Sequence, residues 1–152
     1  MPQIAKGGKY VFGWSRIRED GKIVIPEEAF DEYGLKVDDR VILVSGSKTS
    51  GGFGVTSKRL LEGSHLSVIL TASRLDDFRV PEGKPVEFKG RLYCWSCLQG
   101  NSFKLGGEAL VGFGARAGDR LLSIRSSNIA IGMAVRGPLI EKAGYHPEIM
   151  VF

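Results

Sequence analysis

The sequence predicts an α+β protein, mostly β, built as a tandem duplication of one small unit. Three observations lead there. An internal match runs without a gap at an offset of 80 residues, apolar runs have strand length and end in turn residues, and the helical patterns between them span only about two turns.

The repeat comes first, because it determines how everything else is read. Ile23 to Thr56 lies on Phe103 to Arg136 with eight identities in 34 positions: Glu28/Glu108, Ala29/Ala109, Gly34/Gly114, Asp39/Asp119, Arg40/Arg120, Ser47/Ser127, Gly52/Gly132 and Val55/Val135. Apolar character persists where identity does not, as in Ile25/Leu105, Tyr33/Phe113 and Val44/Ile124. With a one-residue gap, VFGWSRI (Val11 to Ile17) continues the match on LYCWSCL (Leu92 to Leu98), and downstream Leu60 to Leu70 resembles Leu139 to Val151. The organisation that follows is a first unit over 1–70, a linker over 71–90 and a second unit over 91–152, the two units forming one barrel. The linker holds Pro81, Pro85 and several charges, with one short strand expected at Val86 to Phe88.

Within the first unit, Val11 to Ile17 and Lys22 to Ile25 read as short strands separated by the polar turn Glu19-Asp20-Gly21. Pro26 opens a short helix, with Glu27 and Glu28 at its positive end and Gly34 as a left-handed cap. Asp39 to Ser45 carries apolar residues on both faces and reads as a buried strand. A Ser/Gly-rich turn leads to a strand through Val55, and Lys58 to Gly63 closes the unit as a short helix.

A content of 43% hydrophobic and 25% charged residues belongs to a folded globular chain. Met1 to Trp14 has no apolar run of signal-peptide type, and no stretch approaches the ~20 residues of a membrane span, so a cytoplasmic protein with no membrane partner is expected. The net charge of +4 is small, but it is unevenly placed. Residues 1–24 carry five basic against two acidic side chains, whereas residues 27–39 carry six acidic against one basic.

The run GKIVIPEEAFDEYGLKVDDRVILV (Gly21 to Val44) resembles the DNA-binding unit of the AbrB/SpoVT/MazE families, whose pattern is G-[RK]-hydrophobic-x-I-P, a helix ending in Gly, then a D-x-hydrophobic strand. In the second copy, Phe103 to Ile124 keeps the helix end and the AGDRLL strand but lacks Ile-Pro. Two units in one chain is a property shared with MraZ. The resemblance implies a swapped-hairpin, double-split β-barrel with short helices. It also implies a sequence-specific transcriptional regulator that binds double-stranded DNA, is not an enzyme, needs no cofactor and self-associates to a homodimer or higher. Physics supports the pairing, since a unit of this size buries too little apolar surface alone and would leave sheet edges open.

Carried over residue by residue, the family's DNA contacts fall on Arg16, Arg18 and Lys22 of the first hairpin. On the helix, where relatives often have arginines, this chain has Phe30 and Asp31 flanked by Glu27, Glu28 and Glu32. That departure motivates an alternative from another class: a non-catalytic ligand-binding or protein-interaction module on a degenerate barrel that has lost DNA.

Other constellations read as structural. Cys94 and Cys97 lie three apart on a strand, hence on opposite faces, which suits neither a disulfide nor shared chelation; no metal site is expected. His65 and His146 fall at the same point of the repeat, as a loop role requires. Ser45 to Gly52 lacks phosphate-loop spacing and reads as a hairpin turn, although Gly51, Gly52, Gly54, Gly132 and Gly137 would let a backbone or small ligand approach closely. Trp14 and Trp95 are repeat-equivalent and expected to pack in the core or a barrel seam.

Overall fold

The computed structural model describes residues 9–72, 75 and 77–152. The first unit contributes β1 (Val11–Arg16), β2 (Lys22–Val24), α1 (Glu27–Glu32), a 3₁₀ turn (Leu35–Val37), β3 (Arg40–Ser45), β4 (Phe53–Thr56), α2 (Lys58–Glu62) and α3 (Val68–Ala72). After β5 (Val86–Phe88), the second unit gives β6 (Arg91–Cys97), β7 (Ser102–Lys104), α4 (Gly107–Gly112), β8 (Arg120–Arg125), β9 (Ile131–Ala134) and α5 (Pro138–Ala143).

Strands exchange between the copies. A seven-stranded antiparallel sheet has the order β1-β8-β9-β4-β3-β6-β5, and β2 and β7 form a separate two-stranded ribbon. Thus β1 pairs with β8 of the other copy, β6 with β3, β4 with β9 and β2 with β7. The two expected hairpin strands, β1 and β2, do not pair with each other; the turn between them is closed by Gly21 N–H to Arg18 C=O at 2.8 Å and Arg18 N–H to Lys22 C=O at 3.0 Å. The sheet is open, with β1 and β5 at its two ends.

Registers obey the sequence repeat. Ile23 faces Phe103 across the ribbon and Phe53 faces Met133 across the sheet, so each of these residues meets its own counterpart 80 positions away. A pseudo-twofold axis therefore passes through both pairs. Phe53 and Phe103 meet edge to face, ring centroids 6.1 Å apart, in the core between sheet and ribbon, a contact that adds about 0.5–1.5 kcal/mol to simple burial. Off the axis the symmetry holds as well. The Ser15 hydroxyl donates to the Val24 carbonyl at 2.7 Å and the Ser96 hydroxyl to the Lys104 carbonyl at 2.8 Å. These equivalent clamps satisfy buried hydroxyls and tie the ribbon to the sheet.

Helix α1 starts at Pro26 and ends where Gly34 turns left-handed at φ 63°, as its sequence dictates. The Arg59 guanidinium then donates to the carbonyls of Tyr33 and Gly34 and pairs with Asp38 at 2.8 Å, covering the negative end of the helix. On the sheet face away from the ribbon, α2 and α3 cover one flank, burying Leu61 and Leu70 against Ile42, Tyr93 and Trp95. The other flank is covered by α5 and the C-terminal segment, with Ala143 and Ile149 against Val11, Trp14 and Leu122. Helix α3 was not expected from the sequence, whereas β5 matches the expected linker strand. The C-terminal residues extend the β1 edge in parallel, through Trp14 N–H to Met150 C=O at 2.8 Å and Phe152 N–H to Trp14 C=O at 2.7 Å.

Candidate nucleic-acid interface

Ile23 and Phe103 point into the core, which turns Lys22 and Lys104 to the other face of the ribbon, although Ser102 on β7 is itself buried. Lys22 lies directly opposite Lys104 in the register, so two ammonium groups share the outer face. Arg18, exposed, is joined to Lys22 by the backbone bond that closes the turn. Tight approach is required here, because a Cβ on Gly21, at φ +84°, would stand 2.1 Å from the Leu105 carbonyl oxygen. At the tip, Asp20 accepts from the Lys22 backbone N–H at 3.1 Å and lies 3.4 Å from the Lys104 ammonium. These bonds, led by that of the Lys22 N–H, hold its carboxyl below the usual range.

Arg16 sits elsewhere. Ser15 faces the ribbon, so Arg16 shares with Trp14 the opposite face of β1. There it is in register with Arg120, whose guanidinium lies 4.9 Å above the Trp14 ring. The symmetric position repeats the stacking, with Arg40 4.9 Å from Trp95 and 4.5 Å from Phe78. Of the three residues singled out in the sequence, Arg18 and Lys22 are thus brought together on the ribbon, and Arg16 belongs to the rim of the sheet. Lys104 and Arg120 were missed. The 80-residue offset contained the signal for Lys104, since self-pairing of Ile23 with Phe103 puts it opposite Lys22.

Several of the acidic side chains near α1 are engaged. Glu32 makes a two-pronged ion pair with Arg125, whose hydrogen bonds keep the carboxyl below its usual range. Glu28 bonds the Tyr10 hydroxyl, and that bond is the main cause of the raised Tyr10 pKa. Asp38 is the partner of Arg59. The arrangement reduces the negative field of the helix without removing Glu27 and Asp31, which remain exposed.

The cysteines behave as a strand requires: Cys94 is buried and Cys97 exposed, both as free thiols. Burial pushes Cys94 up to about 12, and burial followed by the nearby Glu82 carboxylate raises Cys97, which disfavours the thiolate that metal binding or redox attack needs. Among the described residues no group of three or more His, Cys, Asp or Glu side chains could hold a metal ion. His65 is exposed, and His146 lies 2.8 Å from Glu148. Trp14 and Trp95 are buried in the two flanking clusters rather than offered to a base. The Ser45–Gly52 turn docks on the other copy: Gly52 N–H donates to Phe113 C=O, and Val135 and Arg136 N–H both donate to Ser50 C=O. Among the described residues no helix is long and apolar enough to cross a membrane.

No family model, curated protein or solved structure matches the chain.

Proposed function

We propose that this chain is a sequence-specific regulator that binds double-stranded DNA, in the manner of the AbrB/SpoVT families, and that the inter-copy ribbon enters a groove. The reading is carried by the outer face of that ribbon, where Lys22 and Lys104 oppose each other beside Arg18. Like charges placed side by side repel each other by a few tenths of a kcal/mol or more, and a polyanion removes that repulsion. A two-stranded ribbon also fits the major groove by width, and Arg and Lys supply phosphate neutralisation and guanine readout. Arg16 and Arg120, at the rim of the sheet, are assigned to flanking phosphates.

The fold on this reading is a duplicated swapped-hairpin, double-split barrel. The exchange of β1, β2, β6 and β7 between copies supports it, and one chain then equals the dimer of a single-unit relative. Association of whole chains to a homodimer or higher, a cytoplasmic setting, and the lack of enzymatic activity and cofactor all belong to the same proposal.

Selection of bound fragments from a random DNA pool at moderate salt tests it. An enriched motif, bound with affinity that falls steeply with salt and is abolished by joint Arg16→Ala, Arg18→Ala and Lys22→Ala changes, is expected. No enriched motif, with binding insensitive to salt and to those changes, would replace this reading by the ligand or interaction module. The second reading is favoured by the exposed Glu27 and Asp31 and by the loss of basic residues from the second-copy turn, Gln99-Gly100-Asn101.

A further inference from the structure

On the sheet face turned away from the ribbon, the two helical tails cover the flanks and leave the centre partly open around Gly54 and Gly132. The central strands place Gly54 opposite Gly132 there, with Thr56 and Ala134 as their neighbours on the same face. Small residues on the two strands nearest the pseudo-twofold axis produce a trough where side chains would otherwise stand. Its volume is about 570 Å³, within the range of small-molecule sites. Val44, Ile124, Leu66, Ile69 and Ile129 form apolar walls.

Its surface is mostly apolar; of its polar side chains, Thr56 and Ser127 are engaged with the Ile129 backbone, and Arg91 and Tyr93 converge. Arg91 and Tyr93 stand two apart on β6 and so project to the same side, the side on which Tyr93 packs against Ile42 and Trp95. Both line the trough. Tyr93 is only 4% exposed, yet its hydroxyl has no hydrogen-bond partner among the described residues, and no buried polar side-chain atom is orphaned. Such a hydroxyl must keep access to open space, and the trough is the open space it borders. The Arg91 guanidinium likewise has no hydrogen bond or ion pair among the described residues. By contrast, the Ser45 hydroxyl is already used by the Leu92 N–H, and those of Ser47 and Ser50 by each other.

From this geometry we infer a binding site for a small organic acid: an apolar body seated over Gly54 and Gly132, and a single carboxylate held by the Arg91 guanidinium and the Tyr93 hydroxyl. An apolar floor beside one exposed, unpaired cation selects against both neutral hydrocarbons and multiply charged metabolites. The former leave Arg91 without a counter-ion, and the latter bury charge against Val44 and Ile69 without a partner. The site is independent of the ribbon, which packs on the other face of the sheet.

The test uses the full chain and three carboxylates of different bulk, octanoate, 3-phenylpropionate and indole-3-acetate, with octan-1-ol as neutral control. Titration up to about 1 mM, the weak end for such ligands, is followed by amide chemical shifts and thermal melting. At least one carboxylate is expected to bind, with shifts centred on Gly54 and Gly132. Arg91→Ala and Tyr93→Phe should each weaken it about tenfold or more, as loss of a charge-assisted bond does, and leave the weaker binding of the alcohol unchanged. Gly54→Val should abolish binding by filling the trough. The fold should accept it, because a Cβ at Gly54 meets nothing nearer than 3.8 Å, and a circular dichroism melt verifies this, with Gly54→Ala as the milder variant. Failure of all three acids, shifts mapping elsewhere, or affinities unaltered by Arg91→Ala and Gly54→Val would overturn the assignment.

Discussion

Phe53 stands directly across the ladder from Met133, its own counterpart in the other copy. Ile23 meets Phe103 in the same way on the ribbon, and the ring of Phe103 reaches Phe53 through the core. Half of the core around this axis comes from each copy, and the first copy has no strand partner of its own for β1 or β2, while β4 pairs with β3 on one side and needs β9 of the other copy on its other side. Residues 1–72 expressed alone should therefore dimerise or fail to fold. Light scattering with circular dichroism checks this, and a stable folded monomer is the result that contradicts it.

Lys104 offers a sharper test of the ribbon than the residues visible in the sequence. Lys104→Ala should lower DNA affinity uniformly across sequences and reduce the salt slope by about one phosphate. Its 3.4 Å approach to Asp20 is exposed and contributes little to stability, so urea melts should barely change. Arg16→Ala, acting at the rim, should weaken binding less than Arg18→Ala or Lys22→Ala. Equal losses from all three would place the duplex across the sheet edge instead.

The fold was legible wherever a local pattern had a local cause. Pro26, Gly34 and the apolar spacing of Val41 and Leu43 mark their elements without outside help, and Val86 to Phe88 stands out between turn residues. Pairing was less so. Nothing in Val11 to Ile25 distinguishes a hairpin that closes on itself from strands exchanged with a copy 80 residues away, because both bury the same faces; only the repeat registers decide. Helix α3 escaped because Val68–Ala72 is a single turn whose burial comes from Trp95 and Tyr93 across the sheet. In the candidate site, Arg18 and Lys22 were found by family pattern and Lys104 was overlooked because it matches Val24. The departure of Arg16 to the other face follows from strand alternation after Ser15.

Tyr33 locks the copies together from the side. Its hydroxyl lies within hydrogen-bond distance of the carbonyls of Ser127 and Ala130, in the turn between β8 and β9. Tyr33→Phe should cost about 1–3 kcal/mol, since it leaves carbonyls in a partly buried place without their donor. Chemical denaturation at neutral pH measures this, and a loss below about 0.5 kcal/mol would mean that water replaces the hydroxyl.

Alkaline pH should destabilise the protein through two buried protons. Burial raises Cys94 from its ordinary 9.0 to about 12, and Tyr33 from 10.0 to about 12. In the unfolded chain both ionise earlier, so the unfolded state sheds protons first as pH rises. Stability from this source is complete below about pH 9 and is lost progressively towards pH 12. Urea melts at pH 8 and 10.5 should show the decline, and Cys94→Ala should make it shallower. An unchanged slope in that variant would assign the effect to Tyr33 alone.

Glycine positions should separate by what faces them. A Cβ at Gly52, φ +67°, would lie 2.0 Å from the Met133 carbonyl oxygen, whereas one at Gly83, φ +75°, meets nothing within 4 Å. Gly83→Ala should cost about 1–2 kcal/mol, the penalty of the left-handed backbone alone. Gly52→Ala should cost clearly more, because the central β4–β9 ladder must shift as well. Thermal melts of the two variants give the comparison directly.

A homodimer repeats every substitution on both sides of its axis, so a residue on the axis must be compatible with itself. This chain is released from that rule. Ile23 and Phe103, or Phe53 and Met133, are different residues that inheritance can alter one at a time, a large side chain on one side matched to a smaller one on the other. The same freedom extends outward, to a turn bearing Arg18 in one half and Gln99 in the other. Two halves that began alike can therefore drift towards separate tasks while each still completes the other's sheet.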